Sequence, residues 1–129
     1  MMKKSVVLAL SALLLGGCQE SLEEQCAREA KEFTAKKCPA KIEAHTIIDS
    51  MAFERDTHTL HYYYRLTGSA DQEGSITPDL ALKVLKEDLK NSTSLKVYKD
   101  NGYRFAYTYR SEKDPKKVYI EVVLTEKDY

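Results

Sequence analysis

The sequence has no tryptophan, only three cysteines, and no apolar run long enough to cross a bilayer. Each shortage removes a class of protein. A membrane-spanning helix needs about 20 apolar residues in a row, whereas the apolar run from Val6 to Leu15 is interrupted by Ser11 and stops at Gly16. Net charge is lacking as well: 20 basic residues balance 20 acidic ones over 129 positions, which gives no electrostatic case for nucleic acid as a partner. The HExxH, G-x-S-x-G and CxxC signatures are absent, so the common metallohydrolase, serine-hydrolase and dithiol chemistries have no foothold. His58 and His61 stand three apart, which on a strand sends them to opposite faces, and His45 is remote. Neither a metal nor a cofactor is expected.

What is present begins with an address. Met1 to Lys4 is positively charged, Val6 to Leu15 is apolar, and Gly16 and Gly17 follow, the layout of a secretory signal. The stretch Leu15-Gly16-Gly17-Cys18 resembles the lipobox of bacterial lipoproteins. That resemblance implies a diacylglyceryl group on the Cys18 sulfur, cleavage after Gly17, and acylation of the new N-terminus. The alternative is an ordinary signal peptide that ends near a cysteine. Gln19, in place of aspartate after Cys18, favours the outer membrane by analogy with the sorting of Gram-negative lipoproteins. The expected division is a signal peptide over 1–17, a lipidated N-terminus and short tether over 18–21, and one domain over 22–129. Loss of Lys3 and Lys4 with the leader leaves 18 basic residues against 20 acidic ones. Two or three acyl chains, at about 0.8 kcal/mol per buried methylene, would hold such a chain at a membrane essentially permanently.

Ser21 followed by Glu24 reads as a capping box, and Leu22, Cys26, Ala30 and Phe33 form an apolar stripe at helical spacing. A first helix therefore starts almost at Cys18. Cys26 and Cys38 would share an oxidising compartment, but one straight helix would set them about 18 Å apart, far beyond the ~7 Å a disulfide tolerates. Pairing requires the helix to end near Phe33; two free thiols, or a bond to a partner, are the alternatives.

Beyond Pro39, residues 42–53 read as extended, and in "THTLHYYYRLT" Leu60, Tyr62, Tyr64 and Leu66 alternate with His61, Tyr63, Arg65 and Thr67. "ERDTH" between the two runs suggests a hairpin. Thr77-Pro78 starts a second helix, with Ala81, Leu82, Leu85 and Leu89 as its buried stripe. Tyr103 to Arg110 and Val118 to Leu124 alternate again around the turn "SEKDPKK". The order helix, hairpin, helix, hairpin predicts an α+β domain: a four-stranded antiparallel sheet with two helices packed on one face. The segments "KKCPAKIEAHTIIDSMAFERDTHTLHYYYRLTG" and "NGYRFAYTYRSEKDPKKVYIEVVLTEKDY" together are similar to a widespread group of small exported bacterial proteins of unknown function. In that group Cys38 would find a partner near the C-terminus. Here the last residues are Lys127-Asp128-Tyr129, which makes Cys26 the only candidate.

No catalytic set stands out. Asp49 shares strand parity with Ile47, Met51 and Phe53 and could point toward the core, where a carboxylate needs partners. Serving a small periplasmic hydrolase or transferase together with a histidine is one reading of it, and an aspartate reaching solvent or a tyrosine hydroxyl is the other. The open sheet face should gather His61, Tyr63, Arg65, Arg104, Thr108, Arg110 and Tyr119, and arginine with tyrosine is the mixture that protein-binding hot spots favour. The sequence thus points to a lipid-anchored envelope protein that binds another envelope protein through this face without catalysing a reaction. Inhibition of a periplasmic enzyme is a third reading.

Overall fold

The computed structural model describes residues 19–129. Cys18 and the expected signal peptide over 1–17 lie outside them. Helix α1 spans Leu22–Lys37, and its start is fixed as the sequence requires: Ser21 Oγ accepts the Glu24 N–H and the Glu24 carboxylate accepts the Ser21 N–H. Strands β1 (Ala40–Glu43), β2 (Thr46–Glu54) and β3 (Thr59–Leu66) follow, then helix α2 (Pro78–Asn91), a short helix α3 (Lys96–Asp100), and strands β4 (Arg104–Ser111) and β5 (Val118–Leu124). Thr77 caps α2 by accepting the Leu80 N–H, with Pro78 at the first helical position.

The sheet is five-stranded and mixed, in the order β1-β2-β3-β4-β5, with β3 and β4 parallel. This corrects the expectation of four antiparallel strands. The connection from Thr67 to Tyr103 carries two helices across the sheet and returns the chain to the end where β3 began. A crossover of that kind places the next strand parallel to the last. The extended stretch after Pro39 is likewise two strands, because Ala44 and His45 turn it back on itself. Strands β2 and β3 still form the expected hairpin, closed by a short turn in which His58 adopts the left-handed conformation (φ 50°).

All three helices share one core cluster with a single face of the sheet. Cys26 and Ala30 of α1, Ala81, Leu85 and Leu89 of α2, and Tyr98 of α3 meet Ile48, Leu60, Tyr64, Phe105, Tyr107 and Leu124. Each fully buried leucine, isoleucine or phenylalanine among them stabilises the fold by about 1.5–3 kcal/mol. Leu82, expected in the stripe of α2, is exposed instead. Helix α1 lies against β2 and covers part of its outer edge. Thr34 Oγ1 accepts the Met51 N–H at 2.9 Å and lies 2.9 Å from the carbonyls of both Ala30 and Met51, either of which can take its one proton.

The disulfide does not form. Helix α1 runs unbroken to Lys37, with Cys38 as its C-cap, so the two sulfurs belong to opposite ends of one helix and both thiols are free. Burial, reinforced by the Glu29 carboxylate, pushes the Cys26 thiol up to about 11, and burial also raises Cys38. Neither is a ready thiolate nucleophile.

Candidate functional site

The sheet face away from the helices gathers six of the seven residues singled out above. In the parallel β3–β4 register His61 stands beside Ala106, Tyr63 beside Thr108, and Arg65 beside Arg110, with Arg104 next to Thr59. His61 and Tyr63 stack with ring centroids 4.1 Å apart. Arg65 lies between two carboxylates, donating Nε–H to Asp49 at 2.8 Å and Nη1–H to Glu112 at 2.6 Å. The Asp49 contact, first among several influences, holds its guanidinium charged more firmly still. Arg110 turns its guanidinium toward the Pro115 carbonyl, at 3.3 Å. Tyr119 is the residue that leaves the group. A bulge in the β4–β5 pairing falls at its position, its ring packs against the core cluster, and its hydroxyl donates to Asp71 Oδ1 at 2.8 Å.

The centre of this face is buried although no helix covers it. Thr108 has no exposed surface, Thr59 keeps 4 % and His61 8 %. Burial here demands hydrogen bonds, and they form a chain that sequence reasoning missed. His61 Nδ1 meets Glu54 Oε2 at 2.7 Å, His61 Nε2 meets Thr108 Oγ1 at 2.7 Å, and Thr108 Oγ1 donates to Glu121 Oε2 at 2.8 Å. The Tyr63 hydroxyl lies 3.2 Å from His61 Nδ1, and burial, with the Glu54 charge second, keeps that hydroxyl protonated beyond its ordinary range. Pairs such as His61 with Thr108 are 47 positions apart. Only the register could have found them.

Threonine, histidine and glutamate at these distances mimic a nucleophile, a base and its orienting acid. Burial argues against that chemistry. Thr108 has a single hydroxyl proton, and Glu121 Oε2 competes with His61 Nε2 for it. With Thr108 fully enclosed, no substrate atom can reach its oxygen.

Asp49 also takes a different place from the one its parity suggested. A bulge between Ile48 and Ser50 inserts one residue into β2, so Met51 and Phe53 stay on the core side, opposite Tyr62 and Leu60. Asp49 swings to the open face instead. Its partner there is Arg65, and the histidine of the face is engaged by Glu54. The described residues contain no cluster of three or more His, Cys, Asp or Glu side chains able to hold a metal ion.

A family model described as a domain of unknown function (DUF8479) matches residues 21–120, most of the described chain. The chain belongs to this family. Membership accords with the resemblance to small exported proteins of unknown function and supplies no activity. Among curated proteins none matches the chain in sequence. Solved structures share the fold of this DUF8479 member at low identity. A Pseudomonas aeruginosa protein designated as secreted superposes with a TM-score of 0.70 at 15% identity, over 85% of this chain and 98% of that one. The type II secretion system pilotin AspS of Vibrio cholerae gives 0.63 at 11% identity over 84% and 92%, and the Vibrio vulnificus type 2 secretion system pilotin EpsS 0.65 at 12% over 83% and 90%. Identities this low establish a common architecture.

Proposed function

We propose that this chain is a lipid-anchored protein of the cell envelope, held through Cys18 in the outer membrane, that acts as a non-enzymatic accessory module for another envelope protein. Two of its structural relatives are named as pilotins of type II secretion systems and a third as secreted, which supports a place among envelope and secretion components. The observation that carries the reading is the uncovered sheet face. Its floor is internally satisfied and buried, while Tyr63, Arg65, Arg104 and Arg110 stand around it. A stiff, hydrogen-bonded platform ringed by tyrosine and arginine loses little freedom on binding, which is how a modest face becomes a specific one. The lipid adds local concentration. Once anchored, the domain meets its partner in two dimensions, and Gln19 to Ser21 span only about 10 Å at full extension.

Photo-crosslinking in living cells tests the face. A crosslinkable residue replacing Tyr63 should give one discrete protein adduct, and the same probe at Lys86, on α2, should give none. Adducts at neither position, or the same adduct at both, would overturn the assignment. Intact mass of the membrane fraction tests the anchor: a chain starting at Cys18 with added acyl mass is expected, and one starting at Met1 would sink it.

A further inference from the structure

The helix-covered face is not fully closed. Between α2 and the corner where β1 meets β2 lies a cleft of about 270 Å³. Ile42, Leu80 and Val84 on its walls keep 51 %, 57 % and 47 % of their surface exposed. Such exposure of three large aliphatic side chains around one concavity is what a ligand site shows and a closed core does not.

Its polar groups are few. Tyr64 and Tyr109 line the cleft, stacked 4.8 Å apart, and each is more than nine-tenths buried. Burial and nearby negative charge raise both hydroxyls, and no hydrogen bond figures among the influences on either. No fully buried side-chain polar atom among the described residues lacks a partner, so these two unpartnered hydroxyls reach solvent, and the concavity they line is their way out. Glu43 and Asp88 line the same cleft, and both act on Tyr64 and Tyr109 through their charge. Among the described residues neither carboxylate belongs to an ion pair. Lys86 of α2 is engaged by Asp128.

We propose that this cleft binds a small aliphatic amine, its hydrocarbon chain against Ile42, Leu80 and Val84 and its ammonium group held by Glu43, Asp88 and the two tyrosine hydroxyls. Two carboxylates exclude an anion. A purely apolar ligand would strand the hydroxyls away from water, which costs free energy with no return. A primary ammonium offers three donors on a compact head, which suits four oxygen-bearing groups around a space just below the usual range for small-molecule sites.

The test uses the isotope-labelled full chain in phospholipid nanodiscs, titrated with pentylamine, with pentanoate and pentanol as controls of equal chain length. Saturable amide shifts confined to β1, the start of β2, α2 and the surroundings of Tyr64 and Tyr109 are expected with pentylamine, and none with pentanoate. Glu43→Gln and Asp88→Asn, both at exposed positions, should each weaken binding roughly three- to tenfold while leaving the spectrum of the fold intact. Absence of saturable shifts, equal response to pentanol or pentanoate, or indifference to both substitutions would overturn the proposal. So would binding of a lysine-bearing peptide by a protein that ignores pentylamine, since the occupant would then be a protein segment. Crosslinking from position 63 reads the opposite face, so either proposal can fail alone.

Discussion

The centres of the two sheet faces are buried to similar depth by different means. On the covered face, Phe105 and Leu124 lose all their surface to helices and neighbouring strands, and tyrosines pair across β3 and β4, Tyr62 on Tyr107 at 5.1 Å and Tyr64 on Tyr109 at 4.8 Å. On the uncovered face Thr108 loses all of its surface to the side chains beside it, and the groups it touches are histidine and glutamate. Apolar burial tolerates small misfits at modest cost, whereas a buried polar chain fails when one link is removed. The covered face is therefore the source of stability, and the uncovered face is the more exacting one in geometry.

Alkali should separate the faces most strongly. Burial raises the hydroxyls of Tyr62, Tyr64, Tyr107 and Tyr109 above the ordinary tyrosine value near 10, Tyr109 to about 12. A raised value in the folded state means that the stabilisation is complete below pH 10 and is lost as the pH climbs through the folded values, because the unfolded chain ionises first. Urea midpoints measured from pH 8 to 12 should hold level and then fall steeply above 10, and a flat profile would show these tyrosines to be open to water. Next in size is Thr108→Val, which keeps shape but strands the buried His61 Nε2. A loss of about 1–3 kcal/mol in equilibrium unfolding is expected, and no loss would reduce the uncovered face to ordinary surface. Arg65→Met should cost no more than about 1 kcal/mol, since its two ion pairs are partly solvated, yet it should abolish the adduct from position 63. The smallest effect is that of a reductant, which should leave the thermal midpoint unchanged. In the same samples Cys26 should resist alkylation at pH 8 until the chain unfolds, and a reductant-sensitive midpoint would restore the disulfide.

Local signals were legible in the sequence because their causes are local. Ser21 with Glu24, Thr77 with Pro78, and the turn between β4 and β5 each specify an element from within a few residues. Alternation in β3 and β4 likewise identified which side chains share a face. It could not say which strand lies beside which, and so the parallel pairing went unread. The Ala44-His45 turn was hidden because it contains neither glycine nor proline, and the bulge at Asp49 because one inserted residue reverses parity with no mark in composition. Glu54 escaped notice for a related reason: it ends its strand beside a turn, and only the hairpin fold carries it to His61.

The parallel pairing of β3 with β4 also sets an order of assembly. A chain made or exported N-terminus first presents α1 and the first three strands while β4 is still to come, so the inner edge of β3 stays open until residue 104 arrives and the intervening helices have closed the loop. For that interval the half-built sheet offers unpaired backbone from the strand that will lie at its centre.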